Sequence, residues 1–248
     1  MRTPPAAPPT AQAASAAPVA ARPVVLDPPV VRGRSAGDPP PAPVTGARRL
    51  VADPAAVDAV AAALGALHGP DGPGTAPVVL AATDYCVHAA DAFAARCDDP
   101  ARRLRPSDSV ALEPSGLLQG FTALTGWQGP GYVVADPEGD GTTALRFARG
   151  LVESGRTPAA YLCEVLRRAD TGAFWAVATR LHRGTGPAAA ELAEPAAERP
   201  APDPAHRAAR RTTGLDPATR ARSAVLRAYT RHTRTRTRTH EPAEEQQP

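Results

Sequence analysis

The stretch GPGYVVADPEGDGTTALRFARGLVESG, residues 129–155, decides the fold. It divides into three pieces. GYVVAD, from Gly131, is a short β-branched run of the kind that fills a strand. DPEGDG, residues 136–141, is a cluster of turn formers. TTALRFARGLVESG, from Thr142, has helical periodicity and stops at Gly155. Arg146, Arg149 and Glu153 fall on one face of that helix, and Leu145, Ala148, Leu151 and Val152 on the other. Strand, tight turn and helix make half of a βαβ unit. Enzymes use such a turn to hold a nucleophile at the helix mouth, where the amide dipoles stabilise an anion. This turn contains neither Cys nor Ser.

Similar elements lie on both sides of it. Residues 53–69, DPAAVDAVAAALGALHG, predict a helix: Asp53 caps it, Pro54 suits its first turn, and Gly69 ends it. Val57, Val60, Leu64 and Leu67 form its apolar stripe. APVVLAAT, residues 76–83, is a continuous apolar run, the mark of a strand buried on both faces. A helix is predicted from Tyr85 to Cys97, with Val87, Ala90, Ala94 and Cys97 inward. SGLLQGFTALTG, residues 115–126, predicts another, with Leu117, Phe121 and Leu124 aligned. Residues 159–166 and 173–181 predict two strands joined at ADTG. A short strand is expected in RPVVLDPPVV, residues 22–31, broken by Pro28 and Pro29. Alternating strands and helices predict an α/β fold: a mainly parallel sheet with helices on both faces and a C-terminal β-hairpin.

Composition sets the expected boundaries. Twelve of 30 prolines precede residue 44 and eight lie from Pro187 onward, so 1–47 and 185–248 are expected to be disordered tails around a domain at 48–184. All 28 basic residues are Arg. Eleven of them lie in 199–240 against Asp203 and Asp216, so a net charge of +3 leaves the remainder acidic and argues against a basic groove on the domain. PATRARSAVLRAY, residues 217–229, suggests a short helix anchored by Val225 and Leu226. The cysteines, Cys86, Cys97 and Cys163, sit in apolar patterns and read as buried free thiols. No run resembles a signal peptide or a membrane span, so a soluble cytoplasmic protein is expected.

The segment ALEPSGLLQGFTALTGWQGPGYVVADPEGDGTTALRFARGLVESGRTPAAYLCEV, residues 111–165, resembles the N-terminal half of β-ketoacyl synthases. Pro114, Gly129, Pro130, Ala144, Leu145, Ser154 and Gly155 occupy matching places, and VVLAATDY resembles the strand before that family's second helix. The resemblance spans about residues 50–182. It implies a thiolase-like half-fold of the succession β-α-β-α-β-α-β-β. Counting from Gly129-Pro130, the family's nucleophilic Cys falls at Glu138. The family's second half, with its two His motifs and its Lys, is absent from this sequence. A thiolate and two His drive decarboxylative condensation, and a carboxylate at Glu138 cannot replace them. The resemblance therefore implies a non-catalytic partner or scaffold for an active ketosynthase and its acyl carrier protein, as a homo- or heterodimer, in polyketide or fatty-acid-type biosynthesis. A carboxylate at a helix mouth is still favourable, by about 0.3–1 kcal/mol. On this reading Arg146, Arg149 and Glu153 are candidates for the partner face.

Two other readings compete. RHTRTRTRTH, residues 231–240, places Arg231, Arg234, Arg236 and Arg238 together, and such a cluster neutralises phosphates without reading sequence. Only Tyr229 accompanies it as an aromatic, so no base-stacking platform exists, and nucleic-acid binding is the weaker reading. The other is a decayed fragment without function. Cys86 and His88 lie two apart on a helix and point away from each other. No Cys/His spacing suits zinc, and GPDGPGT lacks the Lys of a phosphate loop, so no metal or cofactor is expected.

Overall fold

A computed structural model describes residues 23–35, 37–38, 52–69, 72, 74–136, 138–184 and 215–238. The chain runs β1 (Val24–Leu26), β2 (Val30–Arg34), α1 (Pro54–His68), β3 (Val78–Ala81), α2 (Thr83–Cys97), α3 (Pro106–Val110), a 3-10 turn (Pro114–Leu118) and α4 (Gln119–Thr125). It continues through β4 (Gly131–Val134), α5 (Thr142–Glu153), β5 (Ala159–Arg167), β6 (Phe174–Arg183), α6 (Pro217–Arg222) and α7 (Ala224–Arg238).

The strands form one mixed sheet in the order β1-β6-β5-β3-β4, with β2 also on β6. β3 pairs in parallel with β4 and β5. β6 is antiparallel to β5, β1 and β2. The expectation of a mainly parallel sheet is therefore corrected: the parallel part is the three strands β4, β3 and β5. The cause is β6, which turns back through Gly172 at φ 67° and carries the N-terminal strands on its free edge.

The sheet alternates its side chains between two cores. Val78, Leu80, Tyr161, Cys163 and Ala176 face α1, α2 and α4. Val79, Leu162, Leu166, Val177 and Leu181 face α5, with Val225 and Leu226 of α7 in the same cluster. The fold is α/β with helices on both faces, as the sequence predicts. α1 is built as expected: the Asp53 carboxylate accepts from Ala55 N at 2.9 Å and Ala56 N at 3.3 Å, and Val57, Val60 and Leu64 are buried. Burying three such side chains contributes about 1.5–3 kcal/mol each.

Four local expectations are corrected. α2 turns Tyr85 and Ala89 inward, whereas Val87, Ala90, Ala94 and Cys97 are exposed. The Tyr85 ring buries far more surface than an Ala or Val can, and its hydroxyl donates to Ala111 O at 2.9 Å, so it sets the helix rotation. Of the three cysteines only Cys163 is buried. Leu124 is exposed, because α4 spans seven residues and ends at the left-handed Gly126.

The remaining correction concerns the tails. β1 and β2 lie inside the expected N-terminal tail, and α6 and α7 inside the expected C-terminal one. Pro28 and Pro29, which lack N–H donors, interrupt the first strand without abolishing it. Leu26 pairs with Leu181 and Val30 with Ala178, so three residues oppose two and form a bulge. Asp27 secures it: its N–H donates to Arg180 O at 2.9 Å, and its carboxylate takes Arg180 Nε at 2.8 Å. The disorder expected for 1–22, 39–47, 185–214 and 239–248 falls outside the described residues. Among the described residues, no helix is long and apolar enough to cross a membrane.

Candidate functional site

The carboxyl ends of β3, β4 and β5 converge on the turn 136–141. This edge of a parallel sheet is where α/β proteins gather polar groups. β4 ends at Val134, and two residues later the buried Asp136 turns its carboxylate onto the mouth of α5. It accepts from Thr143 N at 3.2 Å and Glu138 N at 3.2 Å. Asp140 takes the next donors: Thr142 N at 2.9 Å and the Thr142 hydroxyl at 2.7 Å. These two bonds hold its carboxyl below the usual range, with help from the Arg227 guanidinium 2.9 Å away. The free N–H groups at the mouth of a helix are thus satisfied by two carboxylates.

Glu138 lies in this turn, exposed, four residues before α5, and the helix amides of Thr142 and Thr143 donate to Asp140 and Asp136 rather than to it. The mouth is therefore closed by Asp136 and Asp140, which the sequence reading had not assigned. The sequence signal was Asp136 itself, a charged residue directly after an apolar strand.

Glu164 is the larger omission. It stands in the middle of β5, 1% exposed, among Leu162, Cys163, Val165 and Leu166. Its carboxylate accepts from the Ser223 hydroxyl, from Ala224 N at 2.8 Å and from Val225 N at 3.2 Å. Glu164 therefore caps α7 from a strand 60 residues away. Burial pushes its pKa up to about 7; the bonds from Ser223, Val225 and Ala224 and the charge of Arg227 oppose that rise without cancelling it. The same carboxylate touches the turn. Gly141 has φ 76°, and a Cβ there would overlap Glu164 Oε1, so the position requires Gly twice over. A cavity of about 10 Å³, room for a single water, is lined by Ala81, Thr83, Asp84, Gly139, Gly141 and Glu164.

The other predicted residues are scattered. Arg146, Arg149 and Glu153 are exposed on α5, and Arg149 Nε bonds Glu153 Oε1 at 2.5 Å. The opposite face, Ala148, Leu151 and Val152, is buried as expected. Beside this helix, β4 forms the sheet edge, with its outer side open among the described residues. Tyr132 (37% exposed) and Phe147 of α5 (39%) meet there, rings edge-on at 5.2 Å, and Val133 (41%) is exposed on the other face of the strand. GYVVAD is a strand as expected, with Gly131, Tyr132 and Val133 exposed. Arg231, Arg234, Arg236 and Arg238 all belong to α7. Among the described residues, no group of three or more His, Cys, Asp or Glu is placed to hold a metal.

In comparisons with known proteins, no family model matches the chain, no curated protein matches it, and no solved structure matches it.

Proposed function

We propose that the chain is a non-catalytic, ketosynthase-like subunit that pairs with an active synthase through the β4 edge. The observation that carries this reading is the open strand itself. Gly131–Val134 presents unpaired backbone donors and acceptors beside exposed Tyr132, Val133 and Phe147. An uncovered apolar edge of this kind invites a second strand. Arg146 and the Arg149–Glu153 pair on α5 supply polar groups at its rim. The element succession supports the thiolase-like half-fold. With the broken β1–β2 taken as one strand, and the short α3 and α4 as an insertion after α2, the chain runs β-α-β-α-β-α-β-β. The turn supports the lack of catalysis: the count from Gly129-Pro130 puts Glu138, a carboxylate, where the resembled family keeps its thiolate. No cofactor enters this reading, and the acyl groups reside on the partner synthase and its carrier protein.

The test has two arms. The full chain is incubated with acyl- and malonyl-carrier thioesters and weighed by mass spectrometry; no adduct is expected, on the wild type or on Glu138→Cys. It is then mixed with an active ketosynthase and passed over a sizing column; co-elution is expected, and its loss in Val133→Asp. An acyl adduct on the wild-type chain overturns the non-catalytic reading, and failure to co-elute overturns the partner reading. The nucleic-acid reading keeps one observation in its favour: α7 is helical through Arg238, so Arg227, Arg231, Arg234 and Arg238 recur at helical spacing. Duplex binding that falls steeply with salt in the full chain, and vanishes without residues 231–248, would favour it.

A further inference from the structure

The C-terminal helices are attached to the rest of the protein in an unusual way. Thirty residues, 185–214, separate them from β6 in sequence, and Leu192 is the only Val, Leu, Ile or Phe among those thirty. The helices return to the carboxyl ends of the parallel strands and lie across the acidic turn. Their apolar contribution is local: Leu215, Val225 and Leu226 join the α5-side core, and Ala224 and Tyr229 are buried as well. The rest of the attachment is ionic and polar, and it is spread over three core elements. Arg222 pairs with Asp84 at the start of α2, and the other oxygen of Asp84 accepts from Arg167 N at 2.7 Å. Asp216 pairs with Arg168 at the end of β5, at 3.5 Å. Arg227 pairs with Asp140 in the turn at 2.9 Å and also donates to Asp140 O at 3.1 Å. Glu164 caps the first amides of α7.

Most of the charges divide by element. The core edge supplies Asp84, Asp140 and Glu164, and the helices supply Arg222, Arg227 and a helix N-terminus; the Arg168–Asp216 pair alone among these runs the other way. Every ion pair in the attachment has both partners partly open to solvent, so salt reaches them. Beneath the helices only a cavity of water size remains. The main core, by contrast, closes without them: α1, α2, α4 and the sheet form a separate apolar cluster that contains no residue of α6 or α7.

We propose that residues 215–238 form an ionically latched strap, which closes over the acidic mouth of the β4–α5 turn and swings away as a unit while the sheet stays folded. Open, it frees Asp84, Asp140 and Glu164 together, with Arg222 and Arg227 withdrawn. Closed, it buries Glu164 and holds Asp84 and Asp140 in ion pairs. This inference stands apart from the reading of the β4 edge, since the strap is latched to Asp84, Asp140, Glu164 and Arg168, none of them in β4.

Hydrogen exchange on the full-length chain tests it. The amides of Ala224, Val225 and Leu226 report the strap: the first two donate to Glu164 across its junction, and Leu226 donates to Ser223, whose hydroxyl donates to Glu164. The amides of Leu162 and Val177 report the sheet. The strap amides are expected to exchange about tenfold or more faster than those of the sheet. Raising NaCl from about 0.01 M to about 1 M, which shortens the screening length from roughly 30 Å to 3 Å, should speed the strap and leave the sheet unchanged. The double variant Asp84→Asn, Arg227→Ala should do the same at low salt. Strap and sheet amides exchanging at one common rate, under salt or in the variant, would show that the helices are part of the core. Strap exchange that is fast but indifferent to salt would refute the ionic latch.

Discussion

Replacing Glu164 by Gln should make the protein more stable at neutral pH, although it removes a hydrogen-bonded carboxylate. Glu164 is 1% exposed, and burial raises its pKa from 4.5 to about 7. A carboxyl whose pKa is raised in the folded state favours folding while it is protonated. Below about pH 4.5 both folded and unfolded chains hold the proton, and this contribution is fully present. Between about pH 4.5 and 7 the unfolded chain releases its proton first, so stability falls with rising pH. Above about 7 both forms are ionised, and the full cost of burying the charge remains, roughly 3 kcal/mol. Gln has the right shape to take over the bonds. Its oxygen can accept from Ala224 N and Val225 N, and its amide can donate to the Ser223 oxygen. Urea unfolding of both proteins from pH 4 to pH 8 isolates this group, because the other carboxylates are shared. Equal stability is expected near pH 4, and an advantage for Gln of about 2–3 kcal/mol near pH 8. A difference that does not vary with pH, or a Gln variant weaker at pH 8, would mean that the two helix amides and Arg227 outweigh desolvation.

Two further outcomes follow from the same region and its neighbours. Gly141→Ala should cost about 2 kcal/mol or more by thermal or urea unfolding, because it combines a φ of 76° with an overlap on Glu164 Oε1; a loss below 0.5 kcal/mol would show that the turn can rearrange. In the native protein a thiol reagent at pH 8 should label the exposed Cys97 first and the half-buried Cys86, its pKa raised by burial, more slowly. Cys163, fully enclosed and pushed still further up, should react only as the protein unfolds; labelling of Cys163 at the rate of Cys97 would contradict the packing of β5.

Much of the framework was legible because its signals are local. Asp53, Pro54 and Gly69 mark both ends of α1, and the unbroken Val78–Ala81 run marks a strand covered on both faces. ADTG marks the hairpin, since Gly172 supplies the positive φ that its turn requires. α2 was harder: with alanines on every side it offers little contrast between faces, and one tyrosine outweighs the pattern. The docking of α6 and α7 was legible only in its two anchors, Val225 and Leu226; their other residues are mostly Arg, Thr and Ala. What holds them is Glu164, in a different element, and the only trace of it in the sequence is one acid inside the apolar run YLCEVL. For the same reason the carboxylates that close the α5 mouth escaped attention. A count along the chain selects Glu138, whereas the direction each side chain takes from the turn selects Asp136 and Asp140.

The edge pairing of β1 and β2 on β6 has a consequence for how the chain is born. Val30 meets Ala178 and Val25 meets His182, so the first strand leaves the ribosome roughly 150 residues before its only partner. At about 5–20 residues per second, that is a wait of roughly 8–30 s. Throughout it, Val24–Leu26 and Val30–Val31 are apolar segments with nothing to pair against, while α1 and β3 are already available to associate. The proline pair between them then acts as a safeguard. It keeps each apolar piece shorter than the six or so residues that nascent chains need to stack into a β-aggregate. Removing Pro28 and Pro29 would give a longer and better strand in the finished sheet, and a more dangerous one during synthesis.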